Sequence, residues 1–443
     1  MRVFFQSLLD RPGLRLAAGN LGWLVFERAV RLVLSVLVGL WVTRYLGPAR
    51  FGVLSYALAL VGLGLAVAET GVEAIVRREL VRDPAQGAAW LAAAVRLRLL
   101  AGAICYGGLL VWVAFGSGGS GEETVVLLLV GLQLFQPGLT VADLWLQANL
   151  QSRLSARAQL GAMVIGSLGR LALLMGHAPL WTFAAMVPLE MLVAAFFLRR
   201  LAVAAGRPTD RPDRSIVSLS GLMTEAWPLL LSGLTVTIYL RIDLVMVRHL
   251  LGDSAAGTYA AAVRLSELGF FLPGALAASL LPSLLRARAT GPERYALAMQ
   301  RSFDLQAALA YACAAPLALL APWVVRLAYG ADFGAAGPIL AINGWTLLWA
   351  SLGVARGQYC VNENLTQLHL FSTLAGALIN VALNWMLIPC LGGTGAAWAT
   401  LCAQISAAWL SSFCFARLRP CAFMQWRALF IPFRWFRYVH PKA

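Results

Sequence analysis

Run after run of about 20 predominantly apolar residues follows along this chain, and each is long enough to cross the hydrocarbon core of a bilayer as a helix. Segments such as AAAVRLRLLAGAICYGGLLVWVAF (92–115) and STLAGALINVALNWMLIPCL (372–391) show the pattern. A water-soluble fold lacks the polar surface to keep such runs dispersed, because 60% of the residues are hydrophobic and only 12% are charged. The mean hydropathy of +0.75 agrees. In hydrocarbon every backbone polar group must bond internally, so an all-α integral membrane protein is expected.

Six spans, near 22–43, 52–70, 89–115, 125–146, 160–175 and 180–198, precede the polar segment RRLAVAAGRPTDRPDRS. Six more follow, near 221–247, 255–281, 305–327, 335–354, 370–391 and 394–415. The expected organisation is an N-terminal six-helix lobe (1–199), a cytoplasmic linker (200–218), a C-terminal six-helix lobe (219–416) and a basic, aromatic cytoplasmic tail (417–443). That tail mixes Trp426, Phe430, Phe433, Trp435, Phe436 and Tyr438 with Arg427, Arg434, Arg437 and Lys442, a composition suited to lying on an anionic leaflet. The N-terminal MRVFFQSLLDRPGLRLAAGN is interrupted by Asp10, Arg11 and Pro12 and reads as a cytoplasmic lead-in, not a cleaved signal.

The net charge of +15 comes from 34 arginines and Lys442 against 20 acids. With the N-terminus inside, 24 of the 35 cationic residues fall on the cytoplasmic side, Arg356 counted among them on the connection after the tenth span. Four (Arg44, Arg50, Arg248, Arg326) fall outside, and seven lie within spans. This is the positive-inside distribution, with both termini cytoplasmic, and not a continuous face for nucleic acid. Seven scattered cysteines without paired spacing argue against metal centres and disulfides.

VTRYLGPARFGVLSYA (42–57) is echoed by MVRHLLGDSAAGTYAA (246–261): Arg44 matches Arg248, Gly47 matches Gly252, and Gly52 matches Gly257 after one insertion. Six spans separate the copies, so both cross in the same direction. The two lobes are therefore expected to be related by a pseudo-two-fold axis along the membrane normal, as in alternating-access transporters.

The segment Arg44–Pro84, with Leu46-Gly47, Phe51-Gly52, Ser55-Tyr56, Glu69-Thr70-Gly71 and the Arg77-Arg78-Glu79-Leu80 end, resembles the oligosaccharide (Wzx-type) flippases of the multidrug/oligosaccharidyl-lipid/polysaccharide exporter superfamily. The resemblance implies a two-lobe bundle that moves undecaprenyl-diphosphate-linked oligosaccharide from the cytoplasmic to the outer leaflet of the bacterial inner membrane. It would serve O-antigen, capsule or exopolysaccharide synthesis, in company with a polymerase and chain-length machinery.

Independently of any resemblance, ionisable side chains within spans mark functional positions, because each arginine at a lipid-facing centre costs about 2.5–3.5 kcal/mol. In the first span Glu27 and Arg31 are spaced to pair within the helix, while Arg28 and Arg31 together would present guanidinium groups to phosphate. In the seventh, Arg241 and Asp243 lie about 200° apart and cannot pair with each other, whereas Arg241 and Arg248 share a face. Arg28, Arg31, Arg241, Arg248, Arg96 and Arg170 are the candidate cationic cavity. Glu27, Glu225, Asp243 and Glu267 are the candidate ion-coupling or ion-pair carboxylates, and Arg241 has Glu225 or Glu267 as an alternative partner. Arg264 is placed to pair with Glu267, Arg96 and Arg98 project to nearly opposite sides, and Arg170 has no partner in its own helix.

No cofactor is expected beyond H⁺ or Na⁺ as a coupling ion. A multidrug-efflux antiporter would share the architecture but favours an acidic or aromatic pocket. A membrane polymerase or ligase needs a large external loop, and the longest outer connection is GSGGSGEE (116–123), with four histidines in the chain and no GxxxxGK loop. A non-enzymatic transporter is the expectation.

Overall fold

The computed structural model describes residues 12–116, 121–206 and 218–434, with side chains from Leu34 onward. Helices make up the fold, and no strand occurs among the described residues. Among the described residues ten helices are long and apolar enough to cross a membrane, or eleven if the pair Gly393–Cys414 and Ala416–Leu429, bent by 112°, is one span. The first of the ten, Leu34–Arg82, has 49 residues. At 1.5 Å per residue it would be about 74 Å long, more than twice the hydrocarbon thickness. Its continuity is interrupted at Gly47 (φ 70°, ψ 173°), which divides it into two arms.

Gly252 ends the helix Leu219–Leu251 in nearly the same conformation (φ 86°, ψ −178°), and Asp253 starts the next helix as Pro48 does after Gly47. Side chains other than glycine's avoid this region of backbone space. The echo of Gly47 in Gly252 is thus an echo in the backbone, a positive-φ helix break built the same way twice.

The chain packs as two units, Met1–Tyr45 with Gly64–Leu231, and Leu46–Leu63 with Ser232–Ala443. These boundaries cross the helices instead of following the polar linker, whose residues 207–217 lie outside the described ones. Within the second unit, Gly52 and Gly257 meet at a helix crossing. A Cβ on Gly52 would fall on the Asp253 carbonyl, and one on Gly257 on the Pro48 carbonyl. The echoed glycines therefore pack against each other's motif, which draws 46–63 into this unit. Within the first unit, Gly71 (φ 68°) lies against the backbone of Ala226, Leu229 and Leu230, and Arg78 pairs with Glu225 at 2.8 Å, holding the start of helix Leu219–Leu251 there.

The core of the first unit gathers Val72, Val76, Leu91, Leu144, Leu146 and Leu198. The core of the second gathers Met299, Phe303, Leu347, Leu352 and Ala355 with Cys421 and Ala428 from the last helix, Arg419–Leu429. That helix is no loose tail. Gln425 donates to the carbonyls of Ala408 (2.9 Å) and Leu352 (3.3 Å), the Trp409 indole donates to Ala422, and Trp426 stacks on Trp409 with 5.5 Å between centroids. Phe423, Trp426 and Phe430 are nonetheless partly exposed. Trp435, Phe436, Arg437, Tyr438 and Lys442 lie outside the described residues.

Candidate substrate and ion sites

Asp243 is the most enclosed acid on helix Leu219–Leu251, and its neighbours come from three other helices of the second unit. Asn384 of helix Thr366–Leu391 donates to Oδ1 at 2.5 Å. Thr400 of helix Gly393–Ile405 donates to Oδ2 at 2.5 Å, and Tyr259 of helix Asp253–Glu267 donates to the same oxygen at 3.1 Å. Asn380 receives a bond from the Asn384 amide at 3.1 Å. No arginine takes part. The Asn384 Oδ1 and Asn380 Nδ2 atoms are buried without partners among the described residues. The Asp243 carboxylate is thus bonded by neutral amide and hydroxyl groups, with one of the amide oxygens unused.

Two residues away, Arg241 is exposed, and it makes no hydrogen bond or ion pair among the described residues. It and Arg264 both act electrostatically on Glu267, one of the two acids anticipated for Arg241. Glu225, the other, is taken by Arg78.

Several candidates are occupied locally. Arg170, which sequence spacing left without a partner, binds Glu190 on the neighbouring helix at 2.6 Å, and Gly166 leaves room for that carboxylate. Arg248 pairs with Asp253 at 2.9 Å while its guanidinium lies 4.3 Å from the Tyr56 ring centroid, so it fastens the helix crossing. Arg96 bonds to the Ala92 carbonyl of its own helix at 3.2 Å. Arg98 is the buried member of that pair, donating to the Pro137 carbonyl at 3.2 Å with Nε unbonded. The side chains of Glu27, Arg28 and Arg31 lie outside the described residues, although their backbone belongs to the helix Pro12–Ala68.

Sequence reasoning missed Arg356. Instead of lying on a connection it is 1% exposed, on helix Thr346–Asn362. It donates to Ser412 (2.8 Å) and Ser372 (2.6 Å), with Ser411 and His369 each at 3.4 Å, and it has no carboxylate partner among the described residues. A π-helical turn, Ser406–Leu410, immediately precedes the two serines of the last span. The signal available was weak: serines at 372, 411 and 412 in otherwise apolar runs, 16 and more residues from the arginine they bind.

The arrangement has known counterparts. Residues 41–338 match the family described as polysaccharide biosynthesis protein. No curated protein matches the sequence. Among solved structures, the lipid II flippase MurJ in an inward closed conformation superposes with a TM-score of 0.71 at 14% identity, covering 93% of this chain and 92% of that one. An inward-facing multidrug resistance MATE family transporter of the MOP superfamily gives 0.61 at 17% identity, covering 88% and 95%. A MOP superfamily transporter from Pyrococcus furiosus, described as having a binding pocket of reversed polarity, gives 0.55 at 17%, covering 92% and 94%. At these identities the structures share the fold, and the family rests on the sequence match: the chain belongs to the polysaccharide biosynthesis protein family and has the fold of the MOP superfamily transporters.

Proposed function

We propose that the chain is a flippase that carries undecaprenyl-diphosphate-linked oligosaccharide from the cytoplasmic to the outer leaflet of a bacterial inner membrane by alternating access, with both termini cytoplasmic. The observation that carries the reading is Arg241, a cation within a span that no hydrogen bond or ion pair satisfies among the described residues. In a chain of the polysaccharide biosynthesis family, such a group is best used by an anionic substrate. Arg28 and Arg31 lie in the first span, the helix that answers to this one in the repeat, and guanidinium groups match diphosphate oxygens in geometry. Arg170, Arg248 and Arg96 have a smaller part because each already has a partner. The sugars follow the diphosphate while the polyprenyl chain stays in lipid.

The coupling ion, Na⁺ or H⁺, binds at Asp243 with Asn380, Asn384 and Thr400 as further oxygen ligands. Product would then pass to a polymerase and its chain-length partner. No covalent step is needed anywhere in this cycle.

The reading is tested in proteoliposomes by the access of an externally added glycosidase to fluorescent lipid-linked oligosaccharide. Arg241→Gln is expected to slow translocation about tenfold or more, the value of one charge-assisted hydrogen bond. Arg28→Ala with Arg31→Ala and Arg241→Ala should bring it to the protein-free rate. Undiminished translocation by the triple variant would remove these residues from the substrate path.

A further inference from the structure

A cleft in the first unit uses none of the charges assigned above to substrate or ion. Trp41, Arg44 and Tyr45, at the end of the first span, meet Leu171, Leu174 and Met175, at the end of helix Ser152–Met175, around a cleft of about 590 Å³. The Tyr45 hydroxyl donates to the Ala178 carbonyl at 3.0 Å, and its ring packs on Phe183 at 5.6 Å between centroids, which fixes the wall. Two connections that the arginine count assigns to the outside, 44–51 and 176–179, are thereby brought to one place.

Exposed apolar side chains mean little on a surface that faces lipid. Concavity and an unanswered charge mean more. The cleft is within the size range of small-molecule sites, its walls are apolar, and no acid lines it. Arg44 at its rim makes no hydrogen bond or ion pair among the described residues and is exposed. Arg44 is also one of only four cations on the side where the positive-inside rule removes them. Trp41 and Tyr45 flank it with the aromatic character of a headgroup boundary.

We propose that this cleft binds an anionic glycerophospholipid of the outer leaflet, with one acyl chain along Trp41, Leu171, Leu174 and Met175 and the phosphodiester on Arg44. One guanidinium matches the single negative charge of a phosphodiester such as that of phosphatidylglycerol, and a bidentate fork serves two of its oxygens. A diphosphate carrier holds more charge than one arginine answers, so the occupant is a bulk lipid and not the transported one. None of the residues that form the cleft is among those assigned to the substrate path.

The test is native mass spectrometry of the purified full chain titrated with phosphatidylglycerol or phosphatidylcholine of identical acyl chains. The wild-type chain is expected to bind phosphatidylglycerol about tenfold more tightly, the value of one charge-assisted contact. Arg44→Gln should bring the two lipids to parity, while Arg50→Gln, a cation outside the cleft, should preserve the preference. Matching elution profiles and melting temperatures establish that the variants are folded. An unchanged preference in Arg44→Gln, equal loss in Arg50→Gln, or displacement of phosphatidylglycerol by equimolar undecaprenyl diphosphate would overturn the proposal.

Discussion

Asp243→Asn is expected to abolish ion-driven transport while leaving the protein folded and in the membrane. The substitution is isosteric, and the pocket can receive it. The new amide oxygen takes the bond from Asn384, while its NH₂ faces Thr400 and Tyr259, whose hydroxyls can turn from donating to accepting. What disappears is the negative charge on which a cation or proton depends. Translocation driven by a Na⁺ or pH gradient in proteoliposomes should therefore fall to the ungraded rate, a loss of about 100-fold if the ion contact is worth about 3 kcal/mol. Asp243→Leu should differ, because it strands an Asn384 N–H, a group whose loss of a partner costs about 1–3 kcal/mol, while Thr400 can still donate to the Ala396 carbonyl. Unaltered gradient dependence in the asparagine variant would show that coupling lies elsewhere.

Gly257→Ala and Gly52→Ala are expected each to lower stability by about 1–3 kcal/mol, the usual range for overpacking, or more because the obstructing atoms are backbone. The added methyl would meet the Pro48 carbonyl in one case and the Asp253 carbonyl in the other, and neither is the end of a flexible side chain. Close approach of small residues is the chief source of helix association in a bilayer, so the crossing must open. Since one separation makes room for both methyls, the double variant should lose clearly less than the two single losses added. Gly62→Ala on the same helix arm is the control, with open space where its methyl goes, and should be neutral or slightly stabilising. Melting in detergent reads all four variants, and a strictly additive double variant would mean that the glycines do not face each other.

These two sites differ in how far the sequence discloses them. The glycine crossing is written in the chain as a local pattern, because a helix break needing positive φ at Gly47 and Gly252, and a small residue five positions on, leaves the same spacing in both copies. The spans were legible for the same reason, since hydrocarbon thickness imposes a length on each run. Partner choice was not. Asp243 finds its donors 141 and 157 residues away, and Arg170 finds Glu190 on the next helix 20 residues on. Neither distance leaves any local periodicity.

Asparagine, serine and threonine carry the least conspicuous signal in an apolar span, yet they supply most of the ligands to Asp243 and Arg356. The burial of Arg356 shows the limit of counting charges by connection: a guanidinium near a helix end can turn inward when hydroxyls wait there. The last helix shows another limit, for its basic, aromatic composition describes the outward face but not the Gln425 and Trp409 bonds that fold it back onto the second unit.

The proposed cargo is an anionic, lipid-linked oligosaccharide, and a competing cargo would be a cationic drug. One paired flux measurement separates them. Purified protein in proteoliposomes is given fluorescent undecaprenyl-diphosphate oligosaccharide and, separately, a fluorescent cationic drug, with the same Na⁺ or pH gradient imposed. Gradient-dependent translocation of the lipid-linked sugar, slowed by Arg241→Gln, is expected, with no drug flux above that of empty vesicles. Drug flux abolished by Asp243→Asn, with the lipid-linked sugar left in its original leaflet, would contradict the flippase reading.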